Sequence, residues 1–149
     1  MDDLDHQIIE KLRENDKLSY KKIGKALKKP ASTIHFRVKK MIDEEIIVKF
    51  SAIIDMEKLG YNTVGWLGLT IDPLMRDEII KKLASYKLIK MISSTTGDYN
   101  LIVQILAEDE KKLWSFIRDN IQIIEGIHDV HVSSSLKIYK WETSYFLKL

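Results

Sequence analysis

The sequence predicts an α+β fold, and three observations carry that reading. Apolar residues up to Met41 recur three and four positions apart, the period of a helix. From Val64 onward, runs rich in β-branched residues alternate with two further helical stretches. The two regions also differ in charge. Residues 17–42 hold nine Lys or Arg and no Asp or Glu, whereas residues 51–149 hold 12 basic and 13 acidic residues. A basic block on a near-neutral body points to a polyanionic partner, and the plain alternative is a solvated lysine face.

Composition removes several classes. The chain has 149 residues, 45% hydrophobic and 31% charged, which is globular rather than disordered or collagen-like. No apolar run approaches the roughly 20 residues that cross a bilayer, so no membrane partner is expected. The chain has no cysteine, which excludes disulfides, thiol nucleophiles and Cys-ligated zinc or iron–sulfur sites. Its acidic start, MDDLDHQ, lacks the apolar core of a signal peptide, so the expected location is the cytoplasm. G-x-S-x-G, H-E-x-x-H, P-loop and dinucleotide motifs are all missing, so neither an enzyme nor a cofactor is expected. His128 and His131 are three apart in a β-rich run and point to opposite faces of a strand, which is poor for a shared metal.

Three short helices open the chain. Leu4, Ile8, Ile9 and Leu12 follow helical spacing behind Asp2 and Asp3, which suit the exposed N–H groups of a first turn. Asn15-Asp16 breaks that pattern. Ser19 is a candidate N-cap for a second helix that buries Ile23, Ala26 and Leu27 and turns Lys21, Lys22, Lys25 and Lys28 elsewhere. Lys28-Lys29-Pro30 leaves room only for a turn, because a proline disfavours helix at the residue before it. A third helix follows, with Ile34, Val38 and Met41 inside, running out near residues 43–45.

Two helices joined by a short turn, after a third, describe a helix-turn-helix of winged-helix-like kind. Its last helix opens with Ala31, Ser32 and Thr33, small enough to approach base edges in double-stranded DNA. Arg37, Lys39 and Lys40 lie farther along and suit phosphates or a guanine edge, while Lys21, Lys22 and Lys25 suit the backbone the second helix would cross. His35 reads as a DNA contact or as a merely exposed histidine. Phe36 reads as a thymine contact or, in preference, as packing against the body.

Residues 46–54 are β-rich and read as an extended connector; residues 55–62 form a turn around Gly60. Strands follow at 64–71, 88–96, 100–107 and 130–139. Between them lie a helix starting at Asp72-Pro73, with Ile79, Ile80, Leu83 and Ala84, and one capped near Asp109, with Leu113, Trp114, Ile117 and Ile121 inside. The order β-α-β-β-α-β is the ferredoxin-like arrangement. Its two helices cover one sheet face and leave the other open, so association with a second copy is expected. The expected division is 1–46 for the helix-turn-helix, 47–62 for a β-linker and 63–149 for the βαββαβ part.

This architecture, with five short motifs in order, resembles the Lrp/AsnC (feast/famine) family. Residues 4–9 (LDHQII) are similar to that family's opening helix. Ser32-Thr33-Ile34 with Arg37-Val38-Lys39-Lys40-Met41 resembles its recognition helix. Ile47 to Ile54 before Leu59-Gly60-Tyr61, and Thr96-Gly97-Asp98-Tyr99-Asn100, resemble its connector and its TGxYD loop. The resemblance implies a DNA-binding transcription regulator that dimerises by its sheet and assembles into tetramers or octamers. It also implies a small effector, usually an amino acid, bound between dimers through Gly97, Asp98, Tyr99, Asn100, Ser134 and Ser135. Three residues depart from the pattern: Glu45 replaces a glycine after the third helix, Phe36 an arginine, and Asn100 an aspartate. Asn100 can hydrogen-bond an effector's ammonium but offers it no charge, so a regulator without an effector is one alternative. Sirohaem decarboxylases share the architecture and are the other. They commonly carry an Arg-Arg pair at the connector, where residues 46–50 here hold no arginine, and their substrate needs a basic βαββαβ part.

Overall fold

The computed structural model describes residues 1–15 and 17–140. They form two compact units, Met1–Ile53 and a second that begins at Ile54.

In the first unit, α1 (Asp3–Glu14) starts from a reciprocal cap. The Asp5 N–H donates to Asp2 Oδ1 at 3.0 Å, and the Asp2 N–H donates to Asp5 Oδ2 at 2.9 Å. Helix α2 (Tyr20–Leu27) starts at Ser19, whose hydroxyl accepts from the Lys22 N–H at 3.3 Å. It ends at Lys28 in a left-handed conformation, φ 54°. Helix α3 (Ala31–Asp43) follows Pro30, as the sequence predicts. Ile8, Leu12, Ile23, Ile34, Val38 and Met41 close together into one small core, but Ala26, expected inside, is exposed and Leu27 is half-buried, because the neighbouring helices cover only the part of α2 around Ile23.

The turn between α2 and α3 depends on Gly24. A β-carbon there would lie 2.5 Å from the Lys29 carbonyl oxygen, which is where the chain doubles back. Past α3, Glu45 takes φ 55° at the position where a glycine was missed. The N–H groups of Ile46 and Ile47 then both donate to the Met41 carbonyl, at 2.8 and 3.0 Å. Residues 48–55 form no strand with the described residues, and Val48, Phe50 and Ile53 are exposed.

The second unit is a four-stranded antiparallel sheet in the order β2-β3-β1-β4. Its strands are β1 (Thr63–Ile71), β2 (Ile89–Ser94), β3 (Leu101–Ala107) and β4 (Ile127–Ser134). Helices α4 (Arg76–Ala84) and α5 (Glu110–Phe116) are the two crossovers. Strand alternation sends Leu67, Leu69 and Ile71 of β1 and Leu101, Val103 and Ile105 of β3 into one core with Ile79, Leu83, Leu113, Ile117 and Ile121. Gly65 keeps that layer close: a β-carbon would meet Leu113 Cδ1 at 2.7 Å. Alternate residues Val64, Trp66, Gly68 and Thr70, with Ile102, Gln104 and Leu106, lie on the other face.

Besides Ala26, and Arg37 in the helical unit below, three expectations need correction. Trp114 is not inside; it is 52% exposed, because it stands about 100° round the helix from Leu113. The spacing 113, 117, 121 would drift about 40° per step in an α-helix. The chain continues instead into a wider π-helical turn, Ile117–Ile121, and all three residues stay buried. The last strand runs Ile127–Ser134 rather than 130–139: among the described residues it pairs with β1, where Ser134 lies opposite Gly65 near the start of that strand and the Ser135 N–H adds one bond to the Val64 carbonyl at 2.9 Å. Leu136 and Ile138 fall beyond it and are exposed. The third correction, Phe36, belongs to the helical unit and follows below.

Candidate nucleic-acid interface

Helix α3 presents two unlike sides. Ile34, Val38 and Met41 are buried, which fixes the roll of the helix. The opposite side carries Ser32, His35, Phe36, Lys39 and Lys40, all exposed, with Thr33 and Arg37 half-buried between the two. Lys21, Lys22 and Lys25 are exposed on α2. The His35 ring lies 5.5 Å from that of Tyr20, so it braces α3 against α2. Lys40 reaches Glu44 at 3.7 Å, an exposed pair that a stronger anion would displace.

Phe36 was expected to pack; it is 66% exposed instead. The core stripe occupies positions 34, 38 and 41, and residue 36 stands about 200° from residue 34, so the ring cannot turn inward.

Arg37 also departs from expectation. Its Nη1 donates to Asp2 Oδ2 at 2.6 Å and to Asp5 Oδ1 at 3.1 Å. The guanidinium therefore ties the start of α1 to the middle of α3 rather than standing clear on the recognition face. Asp2 is held below the ordinary carboxylate range, first by the Asp5 backbone N–H and then by the Arg37 hydrogen bond. Arg37 is pushed up by the same two acids, Asp2 first. Sequence reasoning used Asp2 only as a cap and missed Asp5. The available signal was an acid three residues after Asp2, the spacing of a reciprocal cap, whereas its burial, 7% exposed, appears only in the fold.

The candidate effector residues fall into two places. Gly97, at φ 122°, Asp98, Tyr99 and Asn100 form the β2–β3 turn, closed by Thr95 Oγ1 donating to the Tyr99 carbonyl at 2.8 Å. Asn100 extends the sheet: its N–H donates to Leu69 O at 2.9 Å and its Oδ1 accepts from the Ile71 N–H at 2.9 Å. The Tyr99 ring lies over Gly68, where a β-carbon would come within 2.6 Å, and 5.1 Å from the ring of His131. Ser134 and Ser135 sit at the other end of β1. Ser134 pairs with Gly65, and Ser135 Oγ accepts from Trp66 Nε1 at 2.9 Å. Asn100 and Ser134 register four to six β1 residues apart, roughly 13–20 Å, whereas the Tyr99 ring over Gly68 stands three residues, about 10 Å, from Gly65. A recess of about 290 Å³ lined by Tyr61, Leu88, Lys112, Phe116 and Asn120 contains none of them. Among the described residues no three His, Asp or Glu side chains could hold a metal ion. His131 instead meets Asp129, Nε2 to Oδ2 at 2.8 Å. No helix among the described residues is long and apolar enough to cross a membrane.

With a match to a family model for each part, the helix-turn-helix unit and the four-stranded antiparallel α/β unit place the chain in a class: DNA-binding transcriptional regulators with a ligand-binding domain. The chain belongs to the Lrp/AsnC family. Residues 1–42 match the AsnC-type helix-turn-helix domain, and residues 67–145 match the Lrp/AsnC ligand binding domain. It is 33% identical to the HTH-type transcriptional regulator FL11 of Pyrococcus furiosus, over 99% of this chain and 97% of that one. It is 29% identical to the HTH-type transcriptional regulator Ptr1 of Methanocaldococcus jannaschii, over 94% and 95% of the two chains. Among solved structures, AsnC of E. coli superposes with a TM-score of 0.92 at 25% identity, covering 96% of this chain and 97% of that one. A transcriptional regulator of Neisseria meningitidis, solved as a complex with L-Met, shares the fold with a TM-score of 0.92 at 20% identity, covering 97% and 96%. These relatives are transcriptional regulators rather than enzymes.

Proposed function

We propose that this regulator reads a pseudo-palindromic operator through the exposed side of α3 and changes its assembly when a small effector, an amino acid by the family resemblance, binds. One observation carries the DNA half. Residues 17–42 hold nine Lys or Arg and no acid to repel phosphate, and Lys21, Lys22, Lys25, Lys39 and Lys40 among them are exposed on α2 and α3. Ser32, Thr33, His35, Phe36, Lys39 and Lys40 face the bases and adjoining phosphates, and Lys21, Lys22 and Lys25 contact the backbone that α2 crosses. Arg37 acts as a positioning residue: it sets the pitch of α3 from α1. The working division is 1–46 for reading, 47–62 for linking and 63–149 for pairing and sensing, all in the cytoplasm.

Pairing uses the sheet face opposite the helices, where Trp66, Ile102 and Leu106 are half-buried and a second copy would cover them further. Two subunits then offer their α3 helices to successive major grooves about 34 Å apart. Because Gly97–Asn100 and Ser134–Ser135 stand at opposite ends of β1, an effector touching both sets takes them from different subunits. Assembly and ligand binding are then linked through differential affinity. Neutral Asn100 in place of an acid favours an effector group that accepts or shares a hydrogen bond over a bare ammonium. Light scattering on the purified chain, with each of the twenty amino acids in turn, tests this half. A change of mass with one amino acid supports it, and indifference to all twenty leaves an effector-free regulator. Binding-site selection from random duplexes tests the DNA half, and failure to enrich any sequence would sink it.

A further inference from the structure

Phe36 is out of place on a cationic face. It leaves 66% of its surface to water, and no described aromatic ring stacks on it. It is also central. Ser32 lies one turn before it and Lys40 one turn after, so Ser32, Phe36 and Lys40 share one stripe, with His35 and Lys39 alongside. Lys21, Lys22 and Lys25 are exposed on α2, the helix packed beside α3 in the same small core. An exposed apolar ring within a lysine-rich, acid-free helix pair fits a partner that is anionic at its rim and apolar at one point inside. A second copy of the same face is excluded by like charge. Duplex DNA meets the description: phosphates line the groove, and one base edge carries an apolar group.

That group is the C5-methyl of thymine, the only apolar feature the major groove displays. Phe36 has no donor or acceptor, so it cannot read guanine, adenine or cytosine edges by hydrogen bonding. We propose that Phe36 is a specificity-determining residue that reads one thymine methyl in each half-site; this rests on the DNA-reading surface proposed above. The thymine lies near the base pairs that Ser32 and Thr33 face. One helical turn, about 5.4 Å, separates those residues from Phe36, and base pairs step by about 3.4 Å, so the offset is one or two pairs.

The test uses the full chain and the duplex recovered by binding-site selection, at one fixed salt concentration. Each thymine is replaced singly by deoxyuridine, which deletes the methyl and nothing else. One position per half-site loses about fourfold in affinity, the value of one buried methyl-sized group. Phe36→Ala binds the thymine and uracil duplexes equally, with an unchanged salt slope and an unchanged melt, since the ring is not in the core. Phe36→Leu keeps a fraction of the discrimination. The proposal is overturned if the wild type ignores every thymine-to-uracil replacement, or if Phe36→Ala discriminates as the wild type does. Methyl-indifferent binding that still enriches a sequence and weakens with salt sinks Phe36 alone. No enriched sequence and no salt dependence sink the DNA-reading surface with it.

Discussion

Arg37, Asp2 and Asp5 are 35 and 32 residues apart in sequence, yet they share one guanidinium nitrogen in the fold. The Asp2 carboxyl is depressed, so folding favours its ionised form. Its contribution is therefore fully present above the ordinary value of 3.8 and is lost as pH falls through that value toward the lower folded one. Melting of the wild type followed by circular dichroism should steepen below about pH 4. Asp2→Asn should be less stable than the wild type at neutral pH, and the difference should vanish in strong acid. Equal gaps at both ends would remove the clamp from the account. A second residue tests backbone strain. Lys28 closes α2 at φ 54°, a region that costs a side chain about 1–2 kcal/mol and glycine almost nothing. Lys28→Gly should stabilise the helical unit by about 1 kcal/mol, read from urea midpoints.

At the scale of elements, the α2–α3 turn rests on one missing side chain. Gly24→Val would drive atoms into the Lys29 carbonyl, 2.5 Å from the first added carbon, and backbone cannot step aside as a flexible side chain can. The expected cost is about 1–3 kcal/mol, with loss of DNA affinity because α3 is re-aimed. In the sheet unit the equivalent support is Leu113, fully buried over Gly65. Leu113→Ala should cost about 2–5 kcal/mol by opening a cavity between α5 and β1. A smaller loss in the chemical melt would mean that α5 settles onto Gly65. The wide turn at the end of α5 has the same origin: three isoleucines and leucines four apart stay on one face only if the helix loosens.

At the scale of the whole molecule, charge and open surface govern association. Replacing Lys21, Lys22 and Lys25 by Gln should flatten the dependence of log affinity on log salt by about one unit for each phosphate contact removed. An unchanged slope would clear α2 of backbone contact. Trp66→Glu should place a charge in the middle of the open sheet face and shift the chain toward monomer in sedimentation equilibrium. A particle of unaltered mass would move the pairing surface elsewhere.

Period and punctuation carried most of the architecture in the sequence. Helix and strand order, the caps at Asp2, Ser19 and Asp109, the proline before α3 and the basic block all depend on residues a few positions apart. Local spacing is legible in one dimension because it sets which face each side chain takes. What needed the folded molecule was whatever depends on a partner far along the chain. Strand β4 is shorter than its apolar alternation suggests: pairing with β1 ends at Ser134, with one more bond from the Ser135 N–H to the Val64 carbonyl, which no property of residues 135–139 announces. Arg37 turns to α1 rather than outward because two carboxylates from the chain's start reach it first. Phe36 faces water, and the loop and serine groups lie at opposite ends of one strand, because packing of the core stripes and sheet register place them there. Helical and strand periods follow from steric rules acting within one turn or one pleat, whereas pairing and exposure follow from which surfaces meet, and only the closed chain fixes that.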